Sequence, residues 1–214
     1  MRLILINPNT STDTTRSMLA IAAAEAGSRA SLEARTAGFG APLIADPAAL
    51  SRAAEAVAAL APGIGPADGV IVAAFGDPGL EALRGVLRCP VTGIAEAGMA
   101  EAAAGGRRFA VVTTTPALVP GIAATAARHG HARFAGTWVT EGDPAAVMAD
   151  PDGLTQALGA ACRRALEGGA EALVIGGGPL ALAARRLAGT LPVPLIEPVP
   201  AAVRLALIRA ERTV

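Results

Sequence analysis

Two stretches decide the fold: RLILINPNTST at residues 2–12 and RFAVVTTTP at residues 108–116. Each is a short apolar run that ends in amide or hydroxyl side chains and then leads into an alanine-rich segment. Short apolar runs that alternate with helical segments are typical of buried parallel strands in α/β folds. Further runs of this kind predict eight strands in all, at residues 2–6, 31–35, 69–74, 91–94, 108–113, 133–139, 172–176 and 193–196.

Three alanine-rich segments between these strands carry helix start and stop signals. Residues 13–26 follow Ser11 and Thr12, which can cap a helix N-terminus, and they end before Gly27. Residues 48–61 end at a Pro-Gly pair, and residues 154–166 end shortly before a Gly-Gly pair. The alternation of strand and helix predicts an α/β protein with parallel sheets.

The order of signals in the first half of the chain recurs in the second half. RLILIN at residue 2 resembles RFAVVT at residue 108, VIVAAFG at residue 70 resembles LVIGGGP at residue 173, and CPV at residue 89 resembles VPL at residue 193. These shifts of 106, 103 and 104 residues predict two copies of one four-stranded unit. We expect two pseudo-symmetric lobes, each a four-stranded parallel sheet flanked by helices, formed by residues 1–97 with about 199–214 and by residues 98–198. The ligand site is expected in the cleft between the lobes.

Composition excludes several classes of function. The net charge is zero, aromatic residues make up 2% of the chain and there is no Tyr, which argues against binding to nucleic acid or to an anionic membrane. All 18 basic residues are Arg, so Schiff-base chemistry, a pyridoxal phosphate anchor and a P-loop lysine are excluded. No spacing resembles a metal site, and we expect no cofactor.

The N-terminus and the cysteines indicate the cellular compartment in which the chain is expected. The chain begins directly with a strand and shows no signal peptide, and it has no apolar run long enough to span a bilayer. Cytoplasmic location is therefore expected. Cys89 and Cys162 lie in unrelated contexts, so free buried thiols are expected in place of a disulfide.

Four predicted loops follow strands at the edge of the sheet where ligands of parallel α/β folds bind. They cover residues 7–11, 74–78, 113–116 and 176–179. Backbone N–H groups at helix starts favour anions, so the expected ligand is a small carboxylate or an acidic cyclic amide. Each loop also has a structural interpretation as a turn, a cap or a strand end. The residues expected to bind the ligand are Asn7, Ser11, Phe75, Gly76, Thr113, Thr114, Thr115, Gly178 and Pro179.

Two carboxylates are the first candidates for moving a proton. Asp77 precedes Pro78, which predicts a helix N-cap followed by proline at the first helical position, and we favour this structural role over catalysis. Glu197 ends the last predicted strand, where its side chain could face the ligand. Glu96 and Asp13 are weaker candidates.

Other conspicuous residues carry no catalytic prediction. His129 and His131 lie where a helix is predicted to end, and we expect them to be helix-terminal or solvated. Trp138 is expected in the core. The GGGP turn at residues 176–179 lacks the third glycine of a dinucleotide-binding fingerprint and the lysine of a Walker loop. It suits a tight turn or close approach of the backbone to a ligand.

Four motifs in order resemble the aspartate/glutamate/hydantoin racemase superfamily, and most of all its hydantoin and allantoin racemase branch. They are NPNTS at residues 7–11, FGDPGL at 75–80, PVTGIAEA at 90–97 and VVTT at 111–114. The resemblance covers nearly the whole chain. It implies an isomerase with two pseudo-symmetric α/β lobes, a site in the interlobe cleft, no cofactor, a small-molecule substrate and frequently a homo-oligomer.

The resemblance also implies two cysteines that this chain lacks. In such racemases one thiolate removes the α-proton while an opposite thiol delivers another. The first thiol position is Ala74 here and the second is Gly177, and neither residue can ionise. Cys89 and Cys162 do not match either position.

Several functions therefore stay open. The chain could catalyse another carbanion or enolate reaction, including a lyase or hydrolase reaction, with Asp, Glu, Thr or water as acid and base. It could racemise its substrate with unusual groups, or bind a small acid or ureide without chemistry. Deliberate removal of both thiols from a racemase would give the same pattern.

Overall fold

The computed structural model describes residues 1–212, so residues 213 and 214 of the predicted first lobe lie outside the described part. The chain divides into two compact units: unit 1 is Met1–Ala97 together with the residues from Val199 onward, and unit 2 is Gly98–Pro198. The strands are β1 (Arg2–Asn7), β2 (Ser31–Thr36), β3 (Gly69–Val72), β4 (Val91–Gly93), β5 (Phe109–Thr113), β6 (Phe134–Val139), β7 (Ala172–Ile175) and β8 (Leu195–Ile196). The α-helices are α1 (Thr12–Ala26), α2 (Pro47–Leu60), α3 (Leu80–Val86), α4 (Ile94–Ala103), α5 (Val119–Arg128), α6 (Pro144–Ala149), α7 (Pro151–Glu167), α8 (Ala181–Leu187) and α9 (Pro198–Glu211).

Unit 1 contains a parallel sheet with the strand order β2-β1-β3-β4. The central strand β1 is buried on both faces, because residues 3–6 are all fully inaccessible. Burial of each such Leu or Ile contributes about 1.5–3 kcal/mol relative to exposure. On one face, Ile4 and Ile6 pack with Val57 of α2 and Leu83 of α3.

Unit 2 contains a parallel sheet with the strand order β6-β5-β7-β8, the same order as in unit 1. Ala110 and Val112 of β5 pack with Leu158 and Cys162 of α7 on one face of this sheet. The predicted fold class, an α/β protein with two four-stranded parallel sheets flanked by helices, is confirmed.

Element boundaries differ from the predictions where caps decide them. Helix α7 begins before the predicted residue 154, because Asp150 accepts a hydrogen bond from the N–H of Asp152 and Pro151 occupies the first turn. Predicted strand 91–94 ends one residue early, since Ile94 already belongs to α4. Predicted strand 69–74 ends at Val72, which leaves Ala73 and Ala74 in the turn that follows.

No helix within residues 1–212 is both long and apolar enough to cross a membrane. Both cysteines are free thiols, as predicted, but only Cys162 is buried, whereas Cys89 is partly exposed.

Candidate functional site

The two units present equivalent backbone positions at the carboxyl ends of their strands. The N–H of Ala73 donates to Ile6 in unit 1, and the N–H of Gly176 donates to Val112 in unit 2. One residue later, the carbonyl of Ala74 accepts from the N–H three residues ahead at 3.0 Å, and the carbonyl of Gly177 does the same at 3.1 Å. Ala74 and Gly177 are therefore structural counterparts.

Asn7 and Thr113 form a second pair of counterparts. Each ends the central strand of its sheet, and each accepts at its carbonyl from the residue that follows the neighbouring edge strand, Ala37 for Asn7 and Thr140 for Thr113. Both are almost completely buried. The loops that follow them are thus built on the same scaffold.

The Asn7 side chain holds the loop between β1 and α1 in shape. The two N–H groups of its Nδ2 are shared among three acceptors, Asn9 Oδ1 at 2.8 Å, the Ser11 carbonyl at 3.0 Å and Thr15 Oγ1 at 2.9 Å. Its Oδ1 accepts from the N–H of Asn9 at 3.1 Å. Ser11 caps α1 by accepting from the N–H of Thr14. Asn7 and Ser11 are two of the predicted ligand-binding residues. The structure brings them together, and the polar groups of their side chains form hydrogen bonds within the protein.

Asn9 is a residue that the predicted ligand set left out. Its Oδ1 accepts from Asn7 and from the N–H of Ser11, which fixes the orientation of the amide. Its Nδ2 has no hydrogen-bond partner within residues 1–212, so this group remains available as a donor. The Asn-x-Asn-x-Ser pattern could have indicated this role of Asn9, because short polar side chains at alternate positions can form hydrogen bonds with one another's backbone.

The predicted local cap by Asp77 is wrong. Helix α3 begins at Leu80 after Gly79, and both carboxylate oxygens of Asp77 instead accept from the first turn of α4, from the N–H of Ala95 and of Glu96 at 2.8 Å each. Asp77 adopts a positive φ of 51°. Asp77 therefore caps α4 through a tertiary contact, because its two partners lie 18 and 19 positions later in the chain. A local capping rule does not predict such a contact.

This contact requires a glycine at residue 93. An ideal Cβ on Gly93 would overlap the carboxyl group of Asp77. Burial raises the pKa of Asp77 to about 7, and the two backbone N–H groups oppose that rise. With both oxygens occupied, Asp77 suits positioning of the loop after β3 better than proton transfer.

Phe75 and Gly76 lie in that same loop. Phe75 is nearly buried, and Gly76 has a φ of +104° that a side chain would strain. A Cβ on Gly76 would also contact the side chain of Leu50 at 3.3 Å. Burial of Phe75 and close packing of Gly76 on Leu50 thus constrain the loop on the C-terminal side of Ala74.

Unit 2 presents a cluster of threonines after β5. Thr113 Oγ1 donates to the Gly176 carbonyl at 3.0 Å and lies 3.0 Å from Thr115 Oγ1. Thr114 Oγ1 lies 3.7 Å from the sulfur of Met148 in α6. The predicted residues 113–115 are therefore tied to the turn after β7, and all three are buried.

The turn after β7 carries the remaining predicted binding residues. Gly177 has a φ of +156°, and Gly178 and Pro179 open a single 3₁₀ turn that leads into α8. A Cβ on Gly177 would meet Leu180 at 3.3 Å.

Glu197 directly follows β8, and its Oε2 accepts from Arg185 Nε at 3.1 Å. Its side chain is 21% exposed and that of Arg185 is 44% exposed. An ion pair this exposed contributes on the order of 0–1 kcal/mol to stability. Glu197 therefore has a charged partner that orients it, without carrying much of the fold.

The weaker acid candidates are engaged elsewhere. Arg209 binds both oxygens of Glu96 at 2.6 and 3.0 Å, and Arg84 binds one of them at 2.8 Å. Burial raises the pKa of Glu96, but these two arginines outweigh that effect and lower it to about 2. Asp13 forms an exposed pair with Arg16.

The histidines and thiols lie away from these loops in the fold. His129 caps the end of α5, as predicted, and both histidines are partly exposed, although Nε2 of His129 and of His131 is buried without a hydrogen-bond partner in the described residues. Cys162 is buried in α7, where burial raises the pKa of its thiol to about 11, and Cys89 precedes β4. Residues 1–212 hold no cluster of three or more His, Cys, Asp or Glu suited to a metal.

Known proteins resemble the chain over most of its length. The model of the Asp/Glu/hydantoin racemase family matches residues 3–206. A hydantoin racemase of Rhizobium meliloti is 36% identical over 141 residues, which cover 65% of this chain but only 58% of that protein. The match thus spans less than two thirds of that relative's length.

Solved structures match the chain more completely. The allantoin racemase of Klebsiella pneumoniae is 35% identical with a TM-score of 0.88, covering 96% of this chain and 86% of that one. The allantoin racemase of Pseudomonas fluorescens is 29% identical with a TM-score of 0.91, covering 99% of this chain and 92% of that one. This chain belongs to the Asp/Glu/hydantoin racemase family.

Proposed function

We propose that this chain is a cofactor-independent enzyme that labilises the acidic carbon–hydrogen bond of a cyclic ureide of the hydantoin or allantoin type. The observation that carries the proposal is the match to hydantoin and allantoin racemases over most of the chain. Such a substrate combines amide N–H groups with carbonyls. Small, hydroxyl-rich loops that lead into helices suit these groups, and Asn9 offers a donor with no other partner.

The two counterpart positions that would hold thiols are Ala74 and Gly177, so proton transfer must use another group. We propose Glu197 as the base, held in place by Arg185. A carboxylate that directly follows a strand and is oriented by a partner fits the requirements for a general base. Asp77 is proposed as a positioning residue, because both of its oxygens bind backbone N–H groups.

A single base gives a stereochemical outcome that two thiols do not. One carboxylate removes a proton and returns it to the same face, so solvent hydrogen enters the substrate with retention of configuration. Two opposed thiols invert the carbon at each productive exchange. The proposed chemistry therefore predicts exchange faster than loss of optical activity.

The test is to incubate the chain in D₂O with each enantiomer of allantoin and of a 5-substituted hydantoin. Deuterium at the ring carbon is followed by NMR and configuration by chiral chromatography, against an enzyme-free blank. Glu197→Gln should reduce the exchange rate by about 100-fold or more, as expected for loss of a general base. Glu167→Gln, an exposed acid at the end of α7, is the matched control and should leave it unchanged. Equal exchange in both variants, or inversion at every exchange, would contradict the proposal.

A binding function without chemistry is the second candidate. The observation that favours it is that Asn7 and Thr113 are occupied by protein partners, while Ala74 and Gly177 have no reactive group. Thermal stabilisation by a ureide without any hydrogen exchange across both substrate classes would support this function.

A further inference from the structure

A basic concavity lies at the free edge of β4 in unit 1, on the side where Arg84 and Arg209 bind Glu96. It has a volume of about 350 Å³ and is lined by Arg84, Arg88, Cys89, Pro90, Val91 and Arg209. β4 is the edge strand of its sheet, so its outward backbone groups need cover. Arg84 and Arg209 provide this cover by donating to the Val91 carbonyl at 3.0 and 3.3 Å.

The two covering arginines are held in place. Both bind Glu96, whose side chain is only 11% exposed, and Arg84 also pairs with Glu81 at the rim. An arginine that is already ordered loses little side-chain freedom when it meets a ligand. The concavity thus has preorganised donors on one wall.

Arg88 is the third arginine that lines the concavity. It is exposed, lies next to Cys89, and forms no hydrogen bond or ion pair within residues 1–212. Arg88 thus adds a guanidinium without a carboxylate partner in the described residues to the wall that Arg84 and Arg209 form. A guanidinium beside further N–H donors is the arrangement that recognises oxyanions.

We propose that this concavity binds a small oxyanion of the phosphate class, with Arg88 as the main charged contact and Arg84 and Arg209 as the preorganised wall. The volume of about 350 Å³ has room for one phosphate group and several water molecules, at about 30 Å³ per water. The ligand is either the free ion or the phosphate of a small metabolite. This inference does not depend on the proposed reaction.

The first test measures binding to the full-length chain by calorimetry and by thermal stabilisation. Inorganic phosphate and glycerol phosphate are titrated at constant pH and ionic strength, with chloride as the replacement salt, because exposed charges are screened by any salt. Binding of the free ion or of the ester identifies the source. Arg88→Ala should weaken binding about tenfold, which corresponds to one charge-assisted hydrogen bond. Arg128→Ala, an exposed arginine at the end of α5, should have no effect.

The second test uses Cys89 as a reporter. Cys162 is fully buried, so alkylation of the native chain should fall on Cys89, and a Cys89→Ser variant checks this assignment. Anionic iodoacetate should react faster relative to neutral iodoacetamide in the wild-type chain than in Arg88→Ala, and phosphate should abolish that advantage. Equal stabilisation by phosphate and chloride, or an equal response of Arg88→Ala and Arg128→Ala, would overturn the proposal.

Discussion

Replacing Gly93 by Ala tests the contact that positions the loop after β3. The added Cβ would occupy the space of the Asp77 carboxyl group, which must then leave the N–H groups of Ala95 and Glu96. Losing two buried hydrogen bonds to a carboxylate costs about 3–5 kcal/mol. The reduced backbone freedom of Ala offsets about 0.5–1 kcal/mol. We expect a net loss of about 2–4 kcal/mol, a large share of the roughly 5–15 kcal/mol of a typical domain.

Urea unfolding followed by far-UV circular dichroism measures this loss. The single Trp138 lies in unit 2, so its fluorescence separates the unfolding of that unit from the unfolding of unit 1. Gly85→Ala is the matched control, because its Cβ meets nothing within 4 Å, and it should be neutral or stabilise α3 by up to about 1 kcal/mol. In an Asp77→Ala background the cost of Gly93→Ala should nearly vanish. An unchanged cost there would refute the assigned contact.

Three further predictions test the site. The pKa of Asp77 is raised from 3.8 to about 7, so between these values the folded chain holds a proton that the unfolded chain lacks. Stability relative to Asp77→Asn should therefore rise by about 1.4 kcal/mol for each pH unit below 7, and urea unfolding at pH 8 and pH 5 would show identical differences if this is wrong. Asn7→Ala should cost about 3 kcal/mol in the same assay, since the buried amide loses the bonds from its two N–H groups and the bond accepted by its oxygen. Ser11→Ala should cost about 1 kcal/mol as an N-cap, and equal losses would contradict the assigned network. Gly177→Cys should lower stability by about 1–3 kcal/mol because of its positive φ, and a melting temperature equal to that of the wild type would contradict this.

The fold could be predicted because buried strands leave a clear pattern of apolar residues in the sequence. A strand buried on both faces, such as β1, needs a continuous apolar run, and such runs stand out against alanine-rich helices. The spacing of those runs revealed the repeat, and the identical strand orders of the two sheets follow from it. Boundaries were less predictable, because a single cap such as Asp150 moves a helix start by several residues.

The site was harder to predict because its side chains act over long sequence separations. Asp77 looks like a local cap next to Pro78, but its partners are 18 and 19 residues away, and only the missing Cβ of Gly93 makes room for it. The partner of Glu197 is likewise twelve residues earlier, on α8. Residue types near strand ends thus indicated where polar groups gather, and tertiary packing decided which of them remain available.

Comparison of the two units explains why Glu197 and not Asp77 is the proposed base. The counterpart of Asp77 in unit 2 is Leu180. The N–H of Asp77 donates to the carbonyl of Ala74, and the N–H of Leu180 donates to the equivalent carbonyl of Gly177. Unit 2 therefore has no carboxylate in its turn, and its acid instead directly follows β8. Both oxygens of the carboxylate in unit 1 bind N–H groups at the start of α4, whereas the carboxylate in unit 2 pairs with the side chain of Arg185, which is 44% exposed. A scaffold with Ala74 and Gly177 at its two counterpart positions and one partly exposed carboxylate at Glu197 is suited to the one-sided proton exchange that we propose.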